Sequence, residues 1–275
     1  MSAAITMRPA AGIRQRRPQP IADTARLVGR ELRRTLRSFD SLISSLVLPT
    51  IIMLVFVEIF GGAVDHSGDY IDYVVPAVLV LCVGLGASYT AVTVAQDMTA
   101  GVIDRFKTLP MFEPAVLLGH VLSGVLRNLV ACVPVTLVAL ALGYRPQLGD
   151  ATAGGPSIGS WVLVWAYLAL VALVFTWVTC FAGLVLSVDA ASTVNFVFLF
   201  VPYMSSGFVP VSTMPSWLQG FAQHQPFTPI IETLRGLLAG SVAHDTLWQA
   251  LAWLIGLGVA AVAASVITYG RRTLA

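Results

Sequence analysis

The residues through which this chain could do chemistry are few and poorly grouped. His66, His120, His224 and His244 lie far apart, with no H-E-x-x-H pair on one helix face to hold a metal. Cys82, Cys132 and Cys180 each sit inside an apolar run and none belongs to a C-x-x-C pair, so they read as small buried hydrophobes. Lys107 is the single lysine, and no glycine run precedes it. A phosphate loop needs glycines whose backbone N–H groups cradle the phosphates, with a lysine at the end. The chain is therefore expected neither to hydrolyse ATP alone nor to hold a metal or cofactor. Ionisable groups at the ends of apolar runs are functional candidates by default, because charge is costly in lipid. Glu58 ends the first run, Gln96 and Asp97 end the second, and Asp189 falls in the turn between the fourth and fifth. They form no chain of acids across a bilayer, which counts against a proton-driven secondary transporter. A membrane-embedded enzyme would need a polar cluster on facing helices, and none is visible in the sequence.

The elements that must position these groups are membrane helices. The chain is 57% hydrophobic and 11% charged, with mean hydropathy +0.82, whereas a soluble domain averages about 25% charged. A bilayer core about 30 Å thick takes roughly 20 apolar residues per helical crossing. Six runs fit: Leu42–Phe60, Val74–Ala95, Leu126–Leu142, Trp161–Ser187, Asn195–Gly207 and Leu247–Tyr269. The expected fold is all-α and polytopic. Residues 1–20, rich in Arg, Pro and Ala, read as a disordered cytoplasmic tail. Residues 21–40 read as an amphipathic helix in the membrane interface. There Ile21, Ala25, Val28, Leu32, Leu36 and Phe39 recur at helical spacing, and Arg26, Arg30, Arg33, Arg34 and Arg37 cover the rest. Residues 41–275 form the six-span domain. Within it, 208–245 carries four prolines but is too apolar for a free loop, and short helices dipping in from one side fit it. No secretory leader is expected from the first apolar run, which is long and has no A-x-A site behind it.

Arginine and lysine set the orientation. Nine arginines precede Phe39, Arg105 and Lys107 follow the second run, and Arg271 and Arg272 follow the sixth. The opposite side holds only Arg145 and Arg235, beside Asp65, Asp69, Asp72 and Asp150. Both termini are therefore expected inside, and Arg127 is expected to snorkel at the inner boundary. The inner segment 96–110 is too polar to span and too apolar to float. Val102, Ile103 and Phe106 among Asp97, Asp104, Arg105 and Lys107 have the profile of a docking element, with Phe106 as its anchor.

Three features together resemble the permease subunit of type-2 ATP-binding-cassette exporters, in particular the daunorubicin-resistance type of drug-efflux permease. The first is D-x-x-x-G-x-I-x-R-F-x-x-x-P, here Asp97, Gly101, Ile103, Arg105, Phe106 and Pro110. The second is M-P-x-W-L-Q at Met214–Gln219, followed by P-F-T-P-x-x-E-x-x-R at Pro226–Arg235. The third is six spans behind a basic amphipathic helix. The resemblance implies two permeases, most simply a homodimer, on two copies of a separate ATPase that binds Mg-ATP. It implies membrane lipid around the chain, no nucleic-acid partner, and a place in the bacterial cytoplasmic membrane. It makes Asp97, Gly101, Ile103, Asp104, Arg105, Phe106 and Lys107 a coupling helix seated on that ATPase. It makes Tyr89, Asn195, Phe196, Phe200, Tyr203 and Met204 residues of a pathway between the permeases. It puts an outer gate at 209–238, with Trp217, Glu232 and Arg235, and Glu58 at its mouth. The cargo implied is hydrophobic or amphipathic and drug-like, moved outward. A lipid or polysaccharide exporter of the same plan, or a stand-alone secondary transporter, are the other readings.

Overall fold

The computed structural model describes residues 19–37, 39–61, 70–100, 115–146 and 158–274. Gly101, Ile103, Asp104, Arg105, Phe106 and Lys107 lie outside the described residues, as do residues 1–18, 62–69 and 147–157. Among the described residues every regular element is a helix. In chain order these are α1 (Pro20–Arg37), α2 (Phe39–Leu54), α3 (Tyr70–Thr99), α4 (Ala115–Ala141), α5 (Ile158–Val185), α6 (Val188–Phe200), α7 (Ser216–His224), α8 (Phe227–Leu238) and α9 (His244–Leu274). A π-helical turn, Val55–Phe60, continues α2, and a 3-10 turn, Val201–Met204, continues α6.

Among the described residues four helices are long and apolar enough to cross a membrane: Tyr70–Thr99, Ala115–Ala141, Gly159–Val185 and His244–Arg271. The first and fifth expected spans fall on shorter apolar helices, Val47–Phe60 and Val188–Met204. The break in the fifth has a local cause. Pro202 enters the chain there without an N–H, and the helix tightens into the 3-10 turn before it ends. At its other end α6 is capped by Ser187, whose hydroxyl accepts from the Ala190 N–H at 3.3 Å.

α3 is the centre of the bundle. From Val74 to Val83 every side chain is buried, because α2, α4, α5, α6 and α8 all pack on it. A helix apolar on every side must be covered on every side or face lipid. Close approach depends on glycine. A methyl at Gly84 would stand 2.6 Å from the Phe198 ring, and one at Gly183 would stand 2.8 Å from Val94 and clash with the Ala91 carbonyl. Small residues at such seams let membrane helices meet backbone to backbone. α9 is the opposite case. It packs on α5 and α8 and leaves Trp248, Trp253, Ile255, Val259, Val266 and Ile267 exposed along its length.

α1 lies along α4. Leu27 is buried with Val94, Val116, Leu117 and Tyr269, while Ile21 and Arg33 stay exposed. Arg127 corrects the sequence expectation. It is 8% exposed and reaches mid-helix groups of α3, not the inner boundary.

Candidate functional site

The groups the sequence offered singly are gathered in three places. At the end of α3 near α1, Arg30 donates through Nε and Nη2 to Glu31 Oε1 at 3.0 and 2.6 Å, and through Nη2 to Asp97 Oδ2 at 3.1 Å. His120 Nε2 of α4 stands 3.3 Å from the same Asp97 oxygen, close enough for an ion pair but without a hydrogen bond. Glu31, Asp97 and His120 are all buried. Their ligand atoms lie within 4.8 Å of one another, the span of a metal cluster. The Arg30 guanidinium already bridges the two carboxylates, so the group is a hydrogen-bonded network that ties α1 to the last turns of α3, with His120 of α4 beside it. Asp97, expected at the head of the coupling segment, is thus held by the leading helix.

The second place is the middle of the bundle. Arg127 Nη2 donates to the Gly86 carbonyl at 2.9 Å and to Thr90 Oγ1 at 3.1 Å, and the guanidinium lies 4.8 Å from the Tyr89 ring centre. Asn128 is fully buried, with both side-chain polar atoms unpartnered, as is Thr176 Oγ1. A methyl at Gly86 would overlap Asn128 Oδ1, and one at Gly124 would stand 2.7 Å from Thr176. This is the polar cluster on facing helices that sequence reasoning missed. Its one signal was Arg127 and Asn128 as adjacent polar residues inside an apolar run.

Of the expected pathway residues, Tyr89 is half-buried under Arg127. Asn195 accepts from the Ser88 hydroxyl at 2.9 Å. Phe196 and Phe200 are 56% and 55% exposed, and their rings stack at 6.2 Å. Tyr203 stacks on Phe208 at 4.6 Å, and Met204 is exposed. The exposed set therefore lies on α6 and its 3-10 turn, while α3 contributes little surface.

The third place is the opposite end. Glu232 and Arg235 of α8 form an ion pair. Arg235 also donates to the Tyr73 and Ser206 carbonyls, both at 3.1 Å, and stacks 3.8 Å over the Tyr73 ring. Tyr73 and Tyr70 hydroxyls donate to Ser206 and Phe208 carbonyls at 2.6 and 2.7 Å. The chain reversal after α6 frees these carbonyls, and in an apolar setting each must find a donor. α8 is anchored by Phe227, Ile230, Ile231 and Leu234, whereas Trp217 on α7 is 77% exposed. Glu58 is exposed in the π-helical turn. Irregular turns of this kind recur at functional positions.

A multi-span helical protein with exposed apolar faces and charge pairs at both ends has the makings of a membrane transport protein. Residues 23–239 match the ABC-2 type transporter family, and the chain belongs to that family. It is 31% identical, over 85% of its own length and 78% of the relative's, to a daunorubicin resistance ABC transporter permease protein, DrrB1, of Streptomyces coeruleorubidus. It is 27% identical, over 91% of its length and 89% of the relative's, to a probable doxorubicin resistance ABC transporter permease protein, DrrC, of Mycobacterium tuberculosis. Its role is that of a multi-pass permease and not of a catalyst.

Proposed function

We propose that this chain is the membrane subunit of an ATP-driven exporter that carries a hydrophobic or amphipathic, drug-like compound outward across the bacterial cytoplasmic membrane. Six spans, with α2 and α6 as the first and fifth, leave both termini inside. Two copies of the chain stand on two copies of a separate ATPase that binds Mg-ATP. The observation that carries this reading is the similarity to the daunorubicin-resistance permease, which runs over 85% of the chain.

The geometry supports a route for the work. Residues 97–110 dock on the ATPase, with Phe106 as anchor and Arg105 beside it. The Arg30–Asp97–Glu31 network joins that segment's first residue to α1, and Asp97 belongs to α3, so movement of the segment reaches α1, α3 and α4 together. ATP binding in the partner biases a two-state arrangement of these helices, and a ligand can shift it only by its differential affinity for the two states. Phe196, Phe200 and Met204 supply an aromatic and thioether surface suited to a loosely specific apolar cargo.

The test is efflux of daunorubicin from cells expressing the chain with and without a partner ATPase. Transport that needs both, with no ATP hydrolysis by the purified chain alone, is expected. Efflux driven by the chain alone, abolished by a protonophore, would replace this reading with a secondary transporter.

A further inference from the structure

The two arginines on the sparsely charged side of the chain, Arg145 and Arg235, line a single cavity of about 250 Å³ with Asp72, Tyr73, Tyr144 and Leu238. Its walls are made by two helix ends of the same construction. After α4, Gly143 takes φ +101°, the Tyr144 N–H bonds to the Ala139 carbonyl at 3.0 Å and the Gly143 N–H to Leu140 at 3.2 Å. After α8, Gly240 takes φ +73°, and the Ser241 N–H bonds to the Gly236 carbonyl at 2.8 Å. Both are glycine-terminated Schellman turns. The first folds Tyr144 back until it is 4% exposed.

The cavity is equipped for a ligand that the chain does not itself supply. Tyr144 is buried, yet its hydroxyl makes no hydrogen bond among the described residues. Burial, and then the Asp72 carboxylate, push the phenol well above its ordinary pKa, so it is an O–H donor throughout the physiological range. Arg145 is exposed and has no ion pair or hydrogen bond among the described residues. Arg235 is already held by Glu232, Tyr73 and Ser206. The free donors are thus one guanidinium and one phenol, with a carboxylate in the same wall. A bare anion would meet Asp72, and a bare cation would meet Arg145.

We propose that this cavity binds a zwitterionic phosphate ester, the ethanolamine phosphate headgroup of a phospholipid in the outer leaflet. Its phosphate takes the Arg145 guanidinium and the Tyr144 hydroxyl, and its ammonium faces Asp72. The leaflet follows from the orientation given above, but the binding itself does not depend on that orientation. A lipid held there bridges the first turn of α3, the end of α4 and α8, the element that carries Glu232 and Arg235.

The experiment follows the thermal midpoint of the purified chain in detergent as short-chain phosphatidylethanolamine is added. Parallel titrations use phosphatidylcholine, phosphatidylglycerol and soluble phosphoethanolamine. A saturable upward shift with phosphatidylethanolamine is expected, with phosphatidylcholine and phosphatidylglycerol each weaker. R145Q, at an exposed position, should weaken binding about tenfold, in line with one charge-assisted hydrogen bond, and Y144F should weaken it severalfold. Equal shifts in wild type, R145Q and Y144F would overturn the site. Equal shifts with all three lipids would overturn the headgroup assignment. Phosphoethanolamine binding as tightly as the lipid would overturn the membrane source in favour of a soluble phosphate ester.

Discussion

Arg127 holds a positive charge inside the bundle with a carbonyl, a hydroxyl and an aromatic face as its partners. Taking an ion out of water costs several kcal/mol, and apolar replacement of such a group is often neutral or stabilising. Arg127→Met should therefore keep or raise the thermal midpoint of the purified chain while lowering efflux. A fall of many degrees would show the charge to be structural. Asp97 is the contrary case, because its loss takes from Arg30 one of the two carboxylates it donates to. Removing one partner of a buried pair costs about 3–5 kcal/mol, but the Arg30 side chain is 36% exposed and solvent screens it. Asp97→Asn is expected to cost about 1–2 kcal/mol in denaturant or thermal unfolding. The pairing can be isolated by a double-mutant cycle with Arg30→Ala, whose coupling should be near zero only if the two side chains act independently. Gly86→Ala should cost a further ~1–3 kcal/mol as an overpacked seam, and Asn128→Ala should recover part of it by removing the atom it meets.

At the scale of elements, the coupling segment and the outer pair α7–α8 carry the mechanical predictions. Phe106→Ala, and Arg105→Ala in the same direction, should weaken ATPase capture from membranes by ~2 kcal/mol, the usual cost of a truncated interface anchor, with membrane insertion unchanged. Undiminished capture in both would move the main contact elsewhere. Glu232→Ala removes the counter-ion of Arg235, and Trp217→Ala removes an exposed indole. Each is expected to lower efflux in reconstituted complex while ATPase binding persists, and unchanged efflux in both would leave α7–α8 as covering only. Much of this was legible in the sequence. α3, α4, α5 and α9 announce themselves as long apolar runs, and Glu232 and Arg235, three apart in sequence, share one face of a helix. Arg127 could not be placed, because its burial depends on how closely α4 approaches α3 over Gly86. The His120–Asp97–Glu31–Arg30 group was illegible for a similar reason. Its members belong to three helices, and no local pattern marks residues that meet only after packing.

For the whole molecule, orientation is the property that every functional statement leans on. Cys82, Cys132 and Cys180 form no disulfide and are fully buried, so a cysteine-free background should fold with little disturbance. Single cysteines at Asp69 and Ser216 should then react with an impermeant thiol reagent added to intact cells, and those at Arg34 and Thr108 should not. Labelling of the second pair from outside would invert the arrangement argued from the arginines. The contrast between α3 and α9 carries a different message, about inheritance. A helix surrounded by its own chain is judged by shape, like the core of a soluble protein, where one methylene too many is felt. A helix turned outward to acyl tails is judged by oiliness, and any apolar residue will do. A comprehensive substitution scan of this chain should thus show two different alphabets. Along Val74–Val83, exchanges among Val, Leu, Ile and Phe should already be selected against. At Ile255, Val259, Val266 and Ile267 the same exchanges should pass unnoticed, and only charge should be purged.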